Sequence, residues 1–189
     1  MATFQKNTKW IVITGAPSSG KTSVIDDLRA RGYPVEQEVA REYIEACLAQ
    51  GQSMTEIRKD HGQMLQSEIL RLKVAREAAL DPAACIFMDR GLPDSVTYFR
   101  IAGMDTAAAE QASRAFGYAA VFLFDRLPIV QDGVRVEDAQ QADEIDRMLM
   151  LDYTVLGYAP VRVPVMPVVG RTDFILSVLG LPLKHPVTP

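Results

Sequence analysis

Gly15-Ala16-Pro17-Ser18-Ser19-Gly20-Lys21-Thr22 is the stretch on which the fold turns. It fits G-x-x-x-x-G-K-[ST], the Walker A pattern, whose backbone N–H groups cradle phosphate. The glycines are required because the chain bends sharply and comes within contact distance of phosphate oxygens. Lys21 supplies a point charge, the Thr22 hydroxyl can hold Mg²⁺, and the helix that starts here adds the positive end of its dipole. The flanks agree. Trp10-Ile11-Val12-Ile13-Thr14 is an apolar, β-branched run suited to a buried parallel strand, and Val24, Ile25 and Leu28 follow at helical spacing. An ordinary glycine-rich turn needs no such setting.

Working outward, strands and helices alternate, which predicts a parallel sheet covered on both faces. The first strand is read over about Lys9 to Thr14 and the first helix over Gly20 to about Arg31, ended by Gly32. A short second strand takes Tyr33 to Gln37, with Pro34 favouring a first-residue or edge position. A helix opens at Glu38 and runs to about Gln50. Ser53 can cap one long helix from about Met54 to Leu80, with Ile57, Met64, Leu65, Ile69, Leu72 and Ala79 as its buried stripe. Cys85 to Asp89 and Val121 to Asp125 are the third and fourth strands, each an apolar run ending in a carboxylate. Arg90 to Ser95 is expected to turn into a helix reaching about Ala102, and another helix to cover roughly Thr106 to Phe116. Arg126 to Asp138 reads as a mobile polar loop, followed by a helix from about Ala139 to Leu156. A fifth strand covers Pro160 to Val165, and a last helix covers Thr172 to Leu179.

Composition sets the bounds. The 189 residues suit a single domain over 1–180 with a flexible tail over 181–189, and 48% hydrophobic content is enough for a sizeable core. A net charge of −4 argues against non-specific nucleic-acid binding. Cys47 and Cys85 lack metal-ligand spacing and read as reduced thiols in apolar surroundings. No apolar run reaches about 18 residues, so no membrane insertion is expected, and the polar stretch Met1 to Lys9 does not read as a signal peptide. A cytoplasmic protein is the expectation.

Ligands of open parallel sheets bind beyond the carboxyl ends of the strands. Glu38 and Arg41 follow the second strand, Asp89 and Arg90 the third, Asp125 and Arg126 the fourth. Asp89 and Asp125 share one local pattern, and either can hold the Mg²⁺ water shell or cap the helix that follows; only by analogy with kinase-like folds, whose third strand lies beside the first, is Asp89 preferred. Arg41 and Arg90 can clamp an anionic or hydroxylated substrate, against a simpler role in surface ion pairs. Glu38 is a candidate general base, or a solvated cap. Arg135, in a polar loop, is a candidate for neutralising charge in the transition state. His61 and His185 have no partners at ligand spacing, and the tyrosines and methionines read as filler.

Five segments carry a resemblance to a known family: Gly15 to Thr22, Gly32-Tyr33-Pro34-Val35, Glu38-Val39-Ala40-Arg41-Glu42-Tyr43, Met88-Asp89-Arg90-Gly91-Leu92-Pro93-Asp94, and Gln131 to Asp138. Over about residues 9 to 178 the chain resembles AAA-labelled P-loop ATPase domains. These are related to the ribosylnicotinamide kinase domain of the bacterial regulator NadR and to trafficking GTPase-like proteins. The resemblance implies a three-layer α/β P-loop NTPase fold, nucleoside-kinase-like, with a five-stranded parallel sheet in the order 2-3-1-4-5. It also implies binding of ATP with Mg²⁺, with Asp89 and Glu38 at metal or acceptor contacts and Arg90 holding substrate.

Three functions are open to such a chain. The first is a kinase that passes the γ-phosphoryl group of ATP to a hydroxyl of a small, nucleoside-like acceptor. The second is a nucleotide-dependent NTPase or switch acting on a protein or lipid partner. Against GTP, no Asn/Thr-Lys-x-Asp signature follows a late strand, and Thr8-Lys9-Trp10-Ile11 is misplaced. The third is a fold that has lost its chemistry, which intact Lys21, Thr22 and Asp89 oppose.

Overall fold

The computed structural model describes residues 4–59, 62–127 and 136–184, the first four of the last stretch by backbone alone. In chain order the described elements are β1 Lys6–Asn7, β2 Ile11–Thr14, α1 Lys21–Ala30, β3 Val35–Glu36, α2 Val39–Ala49, α3 Met54–Ile57 and α4 Gln63–Ala79. They continue with β4 Phe87–Asp89, α5 Leu92–Ile101, α6 Ala107–Ala112, β5 Phe116–Gly117, β6 Ala120–Phe124, α7 Val136–Val155, β7 Val161–Val163 and α8 Val168–Val178.

β3, β4, β2, β6 and β7 form one parallel sheet in that order, with β2 at its centre and β3 on an edge. Numbered among its own five strands the sheet runs 2-3-1-4-5; counted over the seven strands of the described residues, the same sheet runs 3-4-2-6-7. β1 and β5 make the difference. They pair with each other in a separate parallel ribbon, Lys6 opposite Phe116 and Asn7 opposite Gly117. Two residues each are too short to leave a periodic signal in the sequence.

Strand residues alternate between two cores, as the pleat requires. Ile11, Ile13, Phe122 and Phe124 pack with Val24, Ile25 and Leu28 of α1 and Ile175 and Leu176 of α8. On the other face, Val12, Val121 and Leu123 meet Ala142, Ile145, Leu149 and Tyr153 of α7. Helices therefore cover both faces of the sheet. No helix among the described residues is long and apolar enough to cross a membrane.

The long helix expected over 54–80 is in fact two. Ser53 and Glu56 form a reciprocal capping box that starts α3, and Gly62 at φ 79° precedes α4. The expected stripe is also corrected. Met64 is 60% exposed and Ala79 is exposed, whereas Leu65, Ile69, Lys73 and Glu77 are buried. α6 is shorter than expected, because the chain after it enters β5. α8 begins earlier than Thr172, which brings Arg171 into the helix. Beyond Gly180, Leu181 packs on the core and the Lys184 ammonium lies 4.5 Å from the Tyr33 ring centroid. Cys47 and Cys85 are free thiols.

Two charged residues on the buried stripe fasten α4 to the head of α5. Lys73 Nζ donates to Gly91 O at 2.9 Å. The Tyr118 hydroxyl donates to Glu77 Oε1 at 2.8 Å and accepts from the Leu92 N–H at 2.9 Å. Farther along, Asp152 of α7 accepts from Thr97 Oγ1 at 2.6 Å and Arg100 Nη2 at 2.9 Å, joining α5 to α7. Burial drives the Glu77 carboxyl up to about 7, against the pull of the Tyr118 hydrogen bond and the Lys73 charge.

That shift gives stability a pH dependence. Unfolded, Glu77 loses its proton near 4.5; folded, it keeps it to about 7. Between those values the folded state holds the extra proton, so this group's contribution falls as pH rises. Glu77→Gln does not titrate. Denaturant unfolding should show the variant gaining about 1–3 kcal/mol on the wild type between pH 5 and pH 7.5. A difference that is constant across that range would refute the buried-carboxyl account.

Candidate functional site

The loop between β2 and α1 is set by backbone geometry that side chains tolerate poorly. Gly15 has φ +147°, and a Cβ there would lie 3.0 Å from Phe124 O and 3.1 Å from Ser19 Oγ. Gly20, which precedes α1, has φ +80°, and a Cβ there would meet Arg171 Nη1 at 3.2 Å. Ser18 also takes a left-handed conformation, at φ 60°. The loop thus folds around the side chain of Lys21. The Lys21 ammonium is buried and donates to Gly15 O at 2.9 Å, Ala16 O at 2.9 Å and Ser19 Oγ at 3.0 Å. Burial first, and then the nearby Arg90 charge, lower its pKa to about 7, although Asp89, Glu38 and Asp94 oppose the shift.

Behind the loop stands Arg171 of α8, 2% exposed. Its Nη1 donates to Ser19 O at 2.5 Å and its guanidinium lies 5.3 Å from the Phe124 ring centroid. Nε and Nη2 have no hydrogen-bond partner among the described residues. Burial lowers its pKa, with Asp125 opposing. Sequence reasoning missed this residue, and no local pattern announces it.

At the end of β4, Asp89 sits beside Ile13 of β2. It is 4% exposed, and its Oδ1 has no hydrogen-bond partner among the described residues. Burial and then the Glu38 charge raise its pKa to about 6, against Arg90 and Lys21. The next residue, Arg90, is held at φ 70°, a left-handed conformation that only a well-determined site sustains. Its Nε donates to Glu38 Oε1 at 2.9 Å, and its Nη1 donates to Asp94 Oδ1 at 2.9 Å and Gly15 O at 3.2 Å.

Asp94 is fully buried and accepts from four directions. Thr14 Oγ1 lies at 2.7 Å and Arg90 Nη1 at 2.9 Å from Oδ1; the Gly91 N–H lies at 3.1 Å and the Tyr153 hydroxyl at 2.6 Å from Oδ2. Burial alone would raise its pKa, but Arg90, Lys73 and the hydrogen bonds from Tyr153 and Thr14 lower it instead. Neither Asp94 nor Tyr153 was singled out from the sequence. For Asp94 a signal existed, an acidic residue in the first helical turn three residues after Gly91. For Lys73 and Glu77 the signal was their continuation of the Leu65, Ile69 spacing at every fourth residue.

A cleft of about 670 Å³ unites much of this. The loop from Pro17 to Thr22 forms one wall, and Glu38, Arg41, Lys73, Arg90, Ser95 and Tyr98 also line it. Glu38 stands just before the first turn of α2 and Arg41 within that turn. Asp89 lies beneath, in a smaller recess shared with Lys73 and Arg90. Asp125 is elsewhere, paired with Arg162 at 3.3 Å. Arg126 pairs with Asp143. Arg135, His61 and His185 lie outside the described residues. Among the described residues no three His, Cys, Asp or Glu side chains gather as a metal cluster.

Solved structures share this arrangement of chain. NadR in complex with NR matches at a TM-score of 0.67 and 17% identity, over 96% of this chain and 54% of that one. The chain therefore spans about half the length of NadR. Deoxyadenosine kinase from M. mycoides, with dCMP and dCDP bound, matches at 0.59 and 15% identity, over 90% of this chain and 98% of the kinase. YorR from Bacillus subtilis matches at 0.52 and 13% identity, over 90% and 95%. At these identities the likeness is one of fold, a P-loop kinase-like α/β fold with a parallel sheet. No curated protein sequence shows significant similarity to the chain. The model of the AAA domain family matches residues 10–171, from the residue ahead of the central strand to the arginine that braces the loop, and the chain belongs to that family.

Proposed function

We propose that the protein is a small-molecule kinase that binds ATP with Mg²⁺ in the Gly15–Thr22 loop and passes the γ-phosphoryl group to a hydroxyl of an acceptor. One observation carries this reading: a single cleft joins that loop to Glu38 and Arg90, so a triphosphate and an acceptor can meet there. In-line phosphoryl transfer asks the protein mainly for positioning and charge neutralisation.

Each residue has a part. The Lys21 ammonium donates to Gly15 O, Ala16 O and Ser19 Oγ, and phosphate oxygens would take over those hydrogen bonds. The residues fit a hard cation. Mg²⁺ keeps most of its water shell and takes one or two protein oxygens, which matches the unpartnered Asp89 Oδ1 and the half-buried Thr22 of the cleft wall. When bound, the ion would draw charge from the phosphate oxygens. Arg90 is oriented by Asp94 and Glu38 to hold the acceptor. The acceptor hydroxyl attacks the γ-phosphorus, the bond to the β-phosphate oxygen breaks, and Glu38 accepts the proton. Asp89 is preferred to Asp125 because Arg162 already occupies Asp125. Arg135, as the charge-neutralising residue of a closing loop, belongs to the same proposal.

Two measurements test it. Lys21 has a pKa of about 7 in the free protein, and a bound polyphosphate favours its charged form. Binding of Mg-ATP at pH 8.5 should therefore take up close to one proton, read as a binding enthalpy that varies with buffer ionisation, and this uptake should fade toward pH 6. Lys21→Ala should abolish it and weaken binding by at least about tenfold. In the second, Glu38→Gln should retain Mg-ATP affinity and lower kcat by about 10²–10⁴-fold with an accepted substrate. Unchanged turnover would remove Glu38 from the mechanism.

A further inference from the structure

The cations facing the cleft are not equivalent. Lys21 is tied to its own loop, Lys73 to Gly91 O, and Arg90 to Glu38 and Asp94. Arg41 and Arg58 differ. Both are exposed where they line the cleft, and neither guanidinium makes a hydrogen bond or ion pair with a described residue. Of the other described arginines, only Arg114 is as free, and it lies outside the cleft. Arginine forks normally find carboxylates or carbonyls, as Arg76 does on Glu42 and Arg162 on Asp146.

The cleft offers little negative charge to hold these two arginines. Glu38 is its one acidic lining residue among the described ones, and Arg90 already engages it at 2.9 Å. The cleft is also lined by the apolar side chains of Ile44, Leu65 and Ile69 and the ring of Tyr98. Ser95 lines it too. This serine is 3% exposed, and its hydroxyl has no partner among the described residues. A buried hydroxyl left unpaired costs free energy unless a ligand satisfies it.

We infer that the acceptor already carries a phosphomonoester, bound by Arg41 and Arg58, on a body with an apolar ring that covers this apolar lining and a polar atom that reaches Ser95. Two guanidinium groups balance the charge of a phosphomonoester near −2 and match its oxygens with paired donors. A ring-bearing monophosphate fits this set of groups, and its uncharged parent compound leaves both arginines unused. The inference rests on the kinase reading of the same cleft.

Calorimetry on the full chain tests it, first with Mg-AMP-PNP alone and then, on the loaded protein, with nucleosides and their 3′- and 5′-monophosphates. At least one monophosphate should bind about tenfold or more tightly than its nucleoside. Arg41→Ala and Arg58→Ala should each reduce that affinity by about tenfold and leave AMP-PNP binding unchanged, while Arg114→Ala changes neither. A chain that takes up no AMP-PNP sinks the kinase reading and this inference together. Loaded protein that binds every monophosphate no more tightly than its nucleoside, or arginine variants that keep full affinity, sinks the phosphate anchor alone.

Discussion

The Asp94 carboxylate is the knot at which the sheet, its helices and the site are tied. A charge removed from water is costly unless it is paired and hydrogen-bonded, and Asp94 is fully buried. It meets that requirement with a hydroxyl from the end of β2, an arginine from the end of β4, the N–H that opens α5 and a hydroxyl from α7. Each contact fixes one element relative to the others. Removing Arg90 takes away the ion-pair partner of this buried charge, and removing a hydroxyl takes away one of its donors, so the arrangement tolerates little drift.

The geometry of the site follows from that knot. With one edge of its guanidinium held by Asp94, Arg90 presents the other to Glu38 and reaches back to Gly15 O. The ends of β2 and β4 thereby stay in register with the head of α2. The left-handed backbone at Arg90 is sustained because three partners fix the side chain. On the opposite side Arg171 braces the loop through Ser19 O, so the loop is held from both flanks. Held in this way, Lys21 and Arg90 keep fixed positions beside the loop.

The same packing accounts for the unusual electrostatics. Lys21, Asp89 and Glu77 are drawn toward neutrality by burial, the lysine downward and the carboxyls upward. Asp94 moves the other way, because its partners outweigh its burial. Perturbed groups gathered in and beneath one cleft mark a site more strongly than any of them does singly.

The sequence by itself determined the Gly15–Thr22 loop between a strand and a helix, the parallel sheet around Ile11–Thr14 and the acidic ends of the strands. These are local properties: eight consecutive residues make the loop, and an apolar run makes a buried strand. The break at Gly62 was visible only as one glycine in a helical pattern, which sequence reasoning passes over. Tertiary structure decided which charged residues meet. Ser19 and Arg171 are 152 residues apart, Thr14 and Asp94 80, and Asp94 and Tyr153 59. Tyr153 looked like filler, and Asp89 and Asp125 looked alike, because their difference lies in neighbours brought by other segments. A side chain's type is written locally, but the partner that satisfies its charge or hydrogen bond is supplied by the fold.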